Sequence, residues 1–223
     1  RVFEDWTKFI DQDIPVDVAY LDFRKAFDSV PHKRLLLKLE RLGISGNILK
    51  WIESFLSCRK QCVHVNGKSS DWTDVTSGVP QGSVLGPILF ILYVNDLPEQ
   101  VQSYCKLFAD DAKLYNDLQN LKDFENIQDD LNKLCEWTIN WLMTFNIDKC
   151  KILHIGKDNP RFDYDMTDAN GQTRKLKEVT SEKDLGIYIQ NDLKFDQHLS
   201  HSVNRGNKLV GMIKRAFSFL NEE

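Results

Sequence analysis

A chain of 223 residues with 42% hydrophobic and 28% charged side chains can bury one substantial core and is not expected to be disordered. A formal charge of −4 argues against a protein that coats phosphates through excess Lys and Arg, yet leaves room for one whose acids hold metal ions. The longest apolar run, "ILFILYV" at 88–94, is too short to span a bilayer and stops at Asn95 and Asp96, so no membrane partner is expected.

The opening stretch "RVFEDWTKFIDQD" lacks the basic start and apolar centre of a secretory signal, and with no initiator Met it reads as part of a longer protein. "DVAYLDF" at 17–23 is a short apolar run of strand type. In "RKAFDSVPHKRLLLKLERLGI" the leucines recur at helical spacing, Pro31 suits a first turn and Gly43 marks the stop. "GNILKWIESFLSC" sets Ile48, Leu49, Ile52, Phe55 and Leu56 on one helical face.

The period then changes. "QCVHVNGKSSDWTDVTSGV" alternates Cys62, His64 and Asn66 against Val63 and Val65, and Asn66-Gly67 is a hairpin-turn dipeptide. "SVLGPILFILYVNDL" is apolar all round and reads as a buried helix that tolerates Pro87 near its start. "SYCKLFADDAKLY" predicts two strands, 104–108 and 112–115, with Ala109, Asp110 and Asp111 at the bend.

Between Leu121 and Leu142, residues Leu121, Phe124, Ile127, Leu131, Leu134, Trp141 and Leu142 form one stripe of a long surface helix. "KCKILHIG" returns to strand, and the polar stretch 158–178 predicts a hairpin or loop. "DLGIYI" reads as one short strand, and "HLSHSVNRGNKLVGMIKRAFSFL" as a helix with a basic exposed face. Helices and strands mix without regular alternation, which favours α+β over a doubly wound sheet. Five cysteines at spacings unlike a zinc site read as reduced thiols of an intracellular protein.

The acids carry the chemistry. Asp22 ends an apolar strand, where an unpartnered carboxylate is costly, and Asp110-Asp111 place two like charges side by side. Each alone is compatible with a turn or a helix cap. If their strands are neighbours in one sheet, two or three carboxylates converge and call for cations; oxygen donors of this kind suit Mg²⁺. Two such ions about 4 Å apart stabilise the attacking and leaving oxygens of a phosphoryl displacement.

Taken in order, "VAYLDFRKAFDSVPH", "SGVPQGSVLGPILFILYVNDL", "FADD", "WLMTFNIDKCKILHIG" and "DLGIYI" resemble the palm of reverse transcriptases from non-LTR (LINE-type) retrotransposons, over about residues 16–156 and more loosely to about 219. The resemblance implies an α+β right-hand polymerase palm, an antiparallel sheet backed by helices, over residues 1–190, then the start of a helical thumb over 191–223. Only about fifteen residues precede Val16, so the fingers are expected to be truncated here, with them and the endonuclease region in a longer parent protein.

It implies an RNA-directed DNA polymerase joining deoxynucleoside triphosphates to a DNA primer on an RNA template, in the nucleus or cytoplasm, with two Mg²⁺ ions for which Mn²⁺ can substitute. The alternative is a non-catalytic remnant that binds RNA or protein. Carried over residue by residue, Asp22 and Asp110 hold the ions, Asp111 is the adjacent and less stringent acid, and the main-chain carbonyl of Phe23 completes a metal shell. Phe27 resembles the bulky gate under the incoming sugar, or is ordinary core. Gln81 and Gly82 of "PQGS" resemble residues beside the nascent base pair, or form a turn. Lys149 resembles a lysine facing the departing pyrophosphate, or is a solvated surface side chain. Phe108, where many relatives have Tyr, is expected to keep the aromatic packing. Lys194, Arg205, Lys208, Lys214 and Arg215 give the last helix a basic face, either a thumb surface for duplex phosphates or simply a solvated one.

Overall fold

In the computed structural model, which describes residues 2–217, helix α1 (Val2–Asp11) leads into strand β1 (Val16–Asp22). Helices α2 (Ala26–Ser29), α3 (His32–Arg41) and α4 (Gly46–Leu56) follow, then four two-residue strands, β2 (Lys60–Gln61), β3 (His64–Val65), β4 (Lys68–Ser69) and β5 (Thr73–Asp74). Helix α5 (Leu85–Val94) and a 3-10 turn at Pro98–Gln100 precede the hairpin β6 (Tyr104–Phe108) and β7 (Asp111–Asp117). The long helix α6 (Leu121–Trp141) and strand β8 (Lys151–Ile155) come next. Five short strands, β9 (Asp165–Thr167), β10 (Thr173–Lys175), β11 (Lys177–Val179), β12 (Ser181–Asp184) and β13 (Ile187–Gln190), lead to helix α7 (Asp196–Ala216).

The main sheet has the order β11-β8-β1-β7-β6 and is antiparallel except for the β11/β8 pair. β1 is its centre because both faces are apolar. Ala19 and Leu21 join Ala112, Leu114 and Ile152 against α5 and α6 in the larger core. Val16 and Val18, on the other face, join Tyr115, Leu153 and Ile155 beneath Trp6 of α1. α1 covers the Val16 end of that face and Ile189 of β13 packs into the same cluster, which leaves Asp22 and Asp111 accessible only at the far end.

A buried carboxylate stands on the helix face of β1. Asp17, fully buried, lies directly across the ladder from His154. Its Oδ1 is 2.6 Å from His154 Nδ1 and accepts from Asn159 Nδ2 at 2.8 Å, while Oδ2 accepts from the Tyr164 hydroxyl at 2.6 Å. Every oxygen is used, which is what a buried acid requires.

Several expectations change in the structure. α5 is not buried all round, since Ile88 and Ile91 are about half exposed while Leu89, Phe90, Tyr93 and Val94 fill the core. Its composition lacks polarity on either side, so the pattern could not show which face meets solvent. Leu142 is not part of the α6 stripe; it is the exposed left-handed residue that ends the helix. The side chain of Leu121 lies outside the described residues, and Ile127, Leu131 and Leu134 are buried as expected. "DLGIYI" is not one strand: Leu185 (φ 46°) and Gly186 (φ 89°) form the turn between β12 and β13. The polar stretch 158–178 holds the expected hairpin, β9–β10, and its end begins β11, whose pairing with β8 supplies the sheet edge. α7 buries no residue at all, so it has no separate exposed basic face; Leu199, Val203, Val210 and Ile213 are exposed alongside the cations.

Asn66 and Gly67 both take positive φ in the β3–β4 turn, as that dipeptide predicts. The glycine that matters most is Gly78. Its φ is +89°, and a Cβ built there would lie 2.7 Å from the Asp28 Cα. This close approach lets residues 77–79 bind 27–30: Val79 N–H donates to the Phe27 carbonyl and Gly78 N–H to the Val30 carbonyl, both at 2.8 Å. Gly78→Ala is therefore expected to destabilise the fold by more than about 1 kcal/mol in urea denaturation, because the new methyl meets backbone as well as an unfavourable φ.

Candidate active site

In an antiparallel ladder directly opposed residues share a face. Asp22 is the last residue of β1 and faces Asp111, the first of β7, so the two carboxylates stand together on the open face of the sheet. Asp111 is thus not in the bend but in the strand. Ala109, in the left-handed region at φ 54°, turns the chain and sets Asp110 at the tip, exposed. Partial burial and the neighbouring carboxylates of Asp110, Asp184 and Asp22 push Asp111 above the usual carboxylate range, against the pull of Lys113. Among the described residues, no three His, Cys, Asp or Glu side chains close on a single point.

The loop before β8 brings Lys149 to the same place, with Nζ 3.6 Å from Asp22 Oδ1. One residue on, the buried Cys150 offers its sulfur to the Asp22 amide at 3.5 Å. Burial pushes that thiol up to about 12, so it stays a neutral acceptor. Asp22, Asp111 and Lys149 line a cleft of about 250 Å³ whose other walls include Lys113, Lys151, Glu182 and Asp184.

Phe23 turns its ring into the core and stacks on Phe145 at 4.6 Å. The Asp22 carbonyl and the Arg24 amide are bonded to Asn146 and Thr144, both at 2.7 Å. Successive carbonyls of an extended chain point opposite ways, so the Phe23 carbonyl faces the β7 side. Phe27 is half-buried and stacks on Phe90 at 4.6 Å.

Gln81 and Gly82 lie apart from this cleft. Gln81 Nε2 donates to Asp28 Oδ1 at 2.9 Å, and both line a second hollow of about 580 Å³ with Lys25, Arg59 and Asp74. Gly82, at φ +80°, has open space where a Cβ would stand. Phe108 does not keep aromatic packing: at the exposed end of β6 the residue is 62% exposed, because the strand has passed beyond the core before it reaches the turn.

The site also contains residues that the sequence reading passed over. Lys113 could have been found, since it lies two positions after Asp111 on one strand and must share its face. Asp184, Glu182 and Asp28 had no such signal; the fold alone brings them in.

This open-face arrangement of acids at the tip of a hairpin occurs in a chain whose residues 17–200 match the model of the family described as reverse transcriptase (RNA-dependent DNA polymerase). The chain belongs to that family. The reverse transcriptase domain is 31% identical over 192 residues to the RNA-directed DNA polymerase from mobile element jockey of Drosophila melanogaster, a match covering 82% of this chain and 20% of the relative. It is 29% identical over 210 residues to the probable RNA-directed DNA polymerase from transposon X-element of the same species, covering 90% and 22%. A retrovirus-related Pol polyprotein from type-1 retrotransposable element R2 of Popillia japonica is 27% identical over 188 residues, covering 77% and 30%. These relatives come from non-LTR elements, as the motifs implied. The chain spans 20–30% of the length of these curated relatives.

Proposed function

We propose that this chain forms the palm core of an RNA-directed DNA polymerase that extends a DNA primer on an RNA template. The observation that carries the reading is the pairing of Asp22 with Asp111 across the β1/β7 ladder, with Asp110 at the adjoining turn. Residues 1–190 act as the palm and 191–223 as the start of a thumb.

The donor set fits divalent ions. All three side chains are hard oxygen donors, the Phe23 carbonyl points toward β7, and Asp111 is pushed up by partial burial first and by the neighbouring carboxylates second, a repulsion that a cation would relieve. Two Mg²⁺ or Mn²⁺ ions held by Asp22, Asp110, Asp111 and the Phe23 carbonyl would supply activation of the primer 3′-hydroxyl and stabilisation of the leaving pyrophosphate.

This chain's own residues do the rest. The Lys149 ammonium, 3.6 Å from Asp22 and well exposed, can follow and neutralise a departing anion. Phe27, braced by Phe90, presents a rigid ring against which a 2′-hydroxyl would clash, selecting deoxynucleotides by exclusion. Gln81, tethered to Asp28, offers its remaining amide oxygen to the nucleotide or its template partner, and the open space over Gly82 admits them.

The test is primer extension on an RNA template with Mg²⁺ or Mn²⁺, comparing the parent with Asp110→Asn while RNA binding is followed in parallel. Extension by the parent and none by the variant is the expected result. Equal silence with RNA binding retained would replace the polymerase by a non-catalytic RNA-binding module.

A further inference from the structure

The β12–β13 hairpin lies on the sheet face that carries Asp22 and Asp111, held at its β13 end by Ile189, fully buried among Val16, Val18, Tyr115 and Leu153, and at its β12 end by two acids. Glu182 and Asp184 alternate on β12 and so point the same way, toward the sheet. Glu182 Oε2 accepts from Lys151 Nζ of β8 at 2.7 Å, and Asp184 Oδ2 accepts from Lys113 Nζ of β7. The second pair is buried on both sides, with side chains 9% and 7% exposed.

Lys113 has a strong requirement for that carboxylate. Across the ladder it faces Lys106 of β6, and directly opposed like charges are destabilising. A buried ammonium stripped of its partner costs far more than the intact pair contributes. The anchor is also placed on the reacting strand, since Lys113 stands two residues past Asp111 on the same face. Immediately after Asp184 the chain reverses through Leu185 and Gly186, leaving Leu185 52% exposed at the tip. Glu182 and Asp184 line one cleft with Asp22 and Asp111.

We infer that Asp184 and Glu182 are positioning residues: through Lys113 and Lys151 they lock the β12–β13 hairpin to the sheet and fix it as one wall of the cleft beside the paired carboxylates. The role in extension rests on the polymerase reading above; the anchoring itself does not. Without the lock the β12 end of the hairpin is no longer held against β7, and that wall of the cleft shifts relative to Asp22 and Asp111.

The experiment compares the parent with Lys113→Met, Asp184→Leu, the double variant and Glu182→Gln, reading amide hydrogen exchange over residues 181–190 together with extension kinetics. Each single change at the buried pair is expected to speed exchange of the hairpin by about tenfold or more. It is expected to lower kcat by about tenfold or more, with KM for the nucleotide within about threefold. The double variant removes both charges at once and is expected to recover most of the protection and of kcat, because an apolar pair of similar volume replaces a buried ion pair at little loss. Glu182→Gln, at the more exposed bridge, shows the same split at smaller size and decides the matter if a buried single variant does not fold. Unchanged exchange of the hairpin in these variants overturns the anchoring, and a loosened hairpin with kcat intact overturns the positioning role. A parent that extends no primer sinks the polymerase reading instead, and the exchange measurements then decide the anchoring alone.

Discussion

Asp17→Ala is expected to destabilise the fold by about 3–5 kcal/mol, the range for stripping a partner from a buried charged network. In a domain of this size that lowers Tm by roughly 10 °C. Asp17 is fully buried, and both of its oxygens are engaged by His154, Asn159 and Tyr164. Alanine leaves an imidazole nitrogen, an amide and a hydroxyl without their common acceptor, each paying for its own desolvation. Asp17→Asn keeps the shape and one acceptor oxygen, so it should lose distinctly less. Urea denaturation of the two variants checks both the size and the order, and a loss under about 1 kcal/mol for alanine would mean that the network contributes little.

Asp22→Asn should behave in the opposite way, sparing the fold and removing the reaction. The carboxylate is 40% exposed and its ion pair with Lys149 is long, so its stability contribution stays within about 1 kcal/mol. Its proposed role is to hold divalent ions that stabilise the transferring phosphoryl group by several kcal/mol, so primer extension should fall by about a thousandfold. The paired measurement is thermal denaturation beside single-nucleotide extension. A variant that retains a tenth of the parent's rate would remove Asp22 from the proposed metal site.

The elements legible in the sequence are those whose periodicity is local. Val16–Asp22, Gly46–Leu56, the Asn66-Gly67 hairpin and the long α6 helix each carry their pattern within a few residues. Asp22 and Asp110 were legible as candidates because a charge ending an apolar strand and a doubled charge in a turn both conflict with local preference. Their meeting depends on their strands being neighbours in one sheet, and the ladder pairs Asp22 with Asp111 rather than with Asp110. What stayed hidden depends on distant partners. β11 has no apolar run because it lies at the sheet edge, and Leu185 gives no sign of its left-handed turn. The exposure of Phe108 could not be read because an aromatic at the end of a strand looks the same whether the core reaches it or not.

β1 carries Asp17 and Asp22 on opposite faces, one against the helices and one over the open cleft. Sliding this strand by a single position would exchange their surroundings: the acid exposed to water would be driven into the oily layer under α6, while the sequestered one lost its three donors. A misaligned strand is thus penalised twice over. The spacing that excludes such a slip during folding is the same spacing that delivers a charged group to the edge of the cleft.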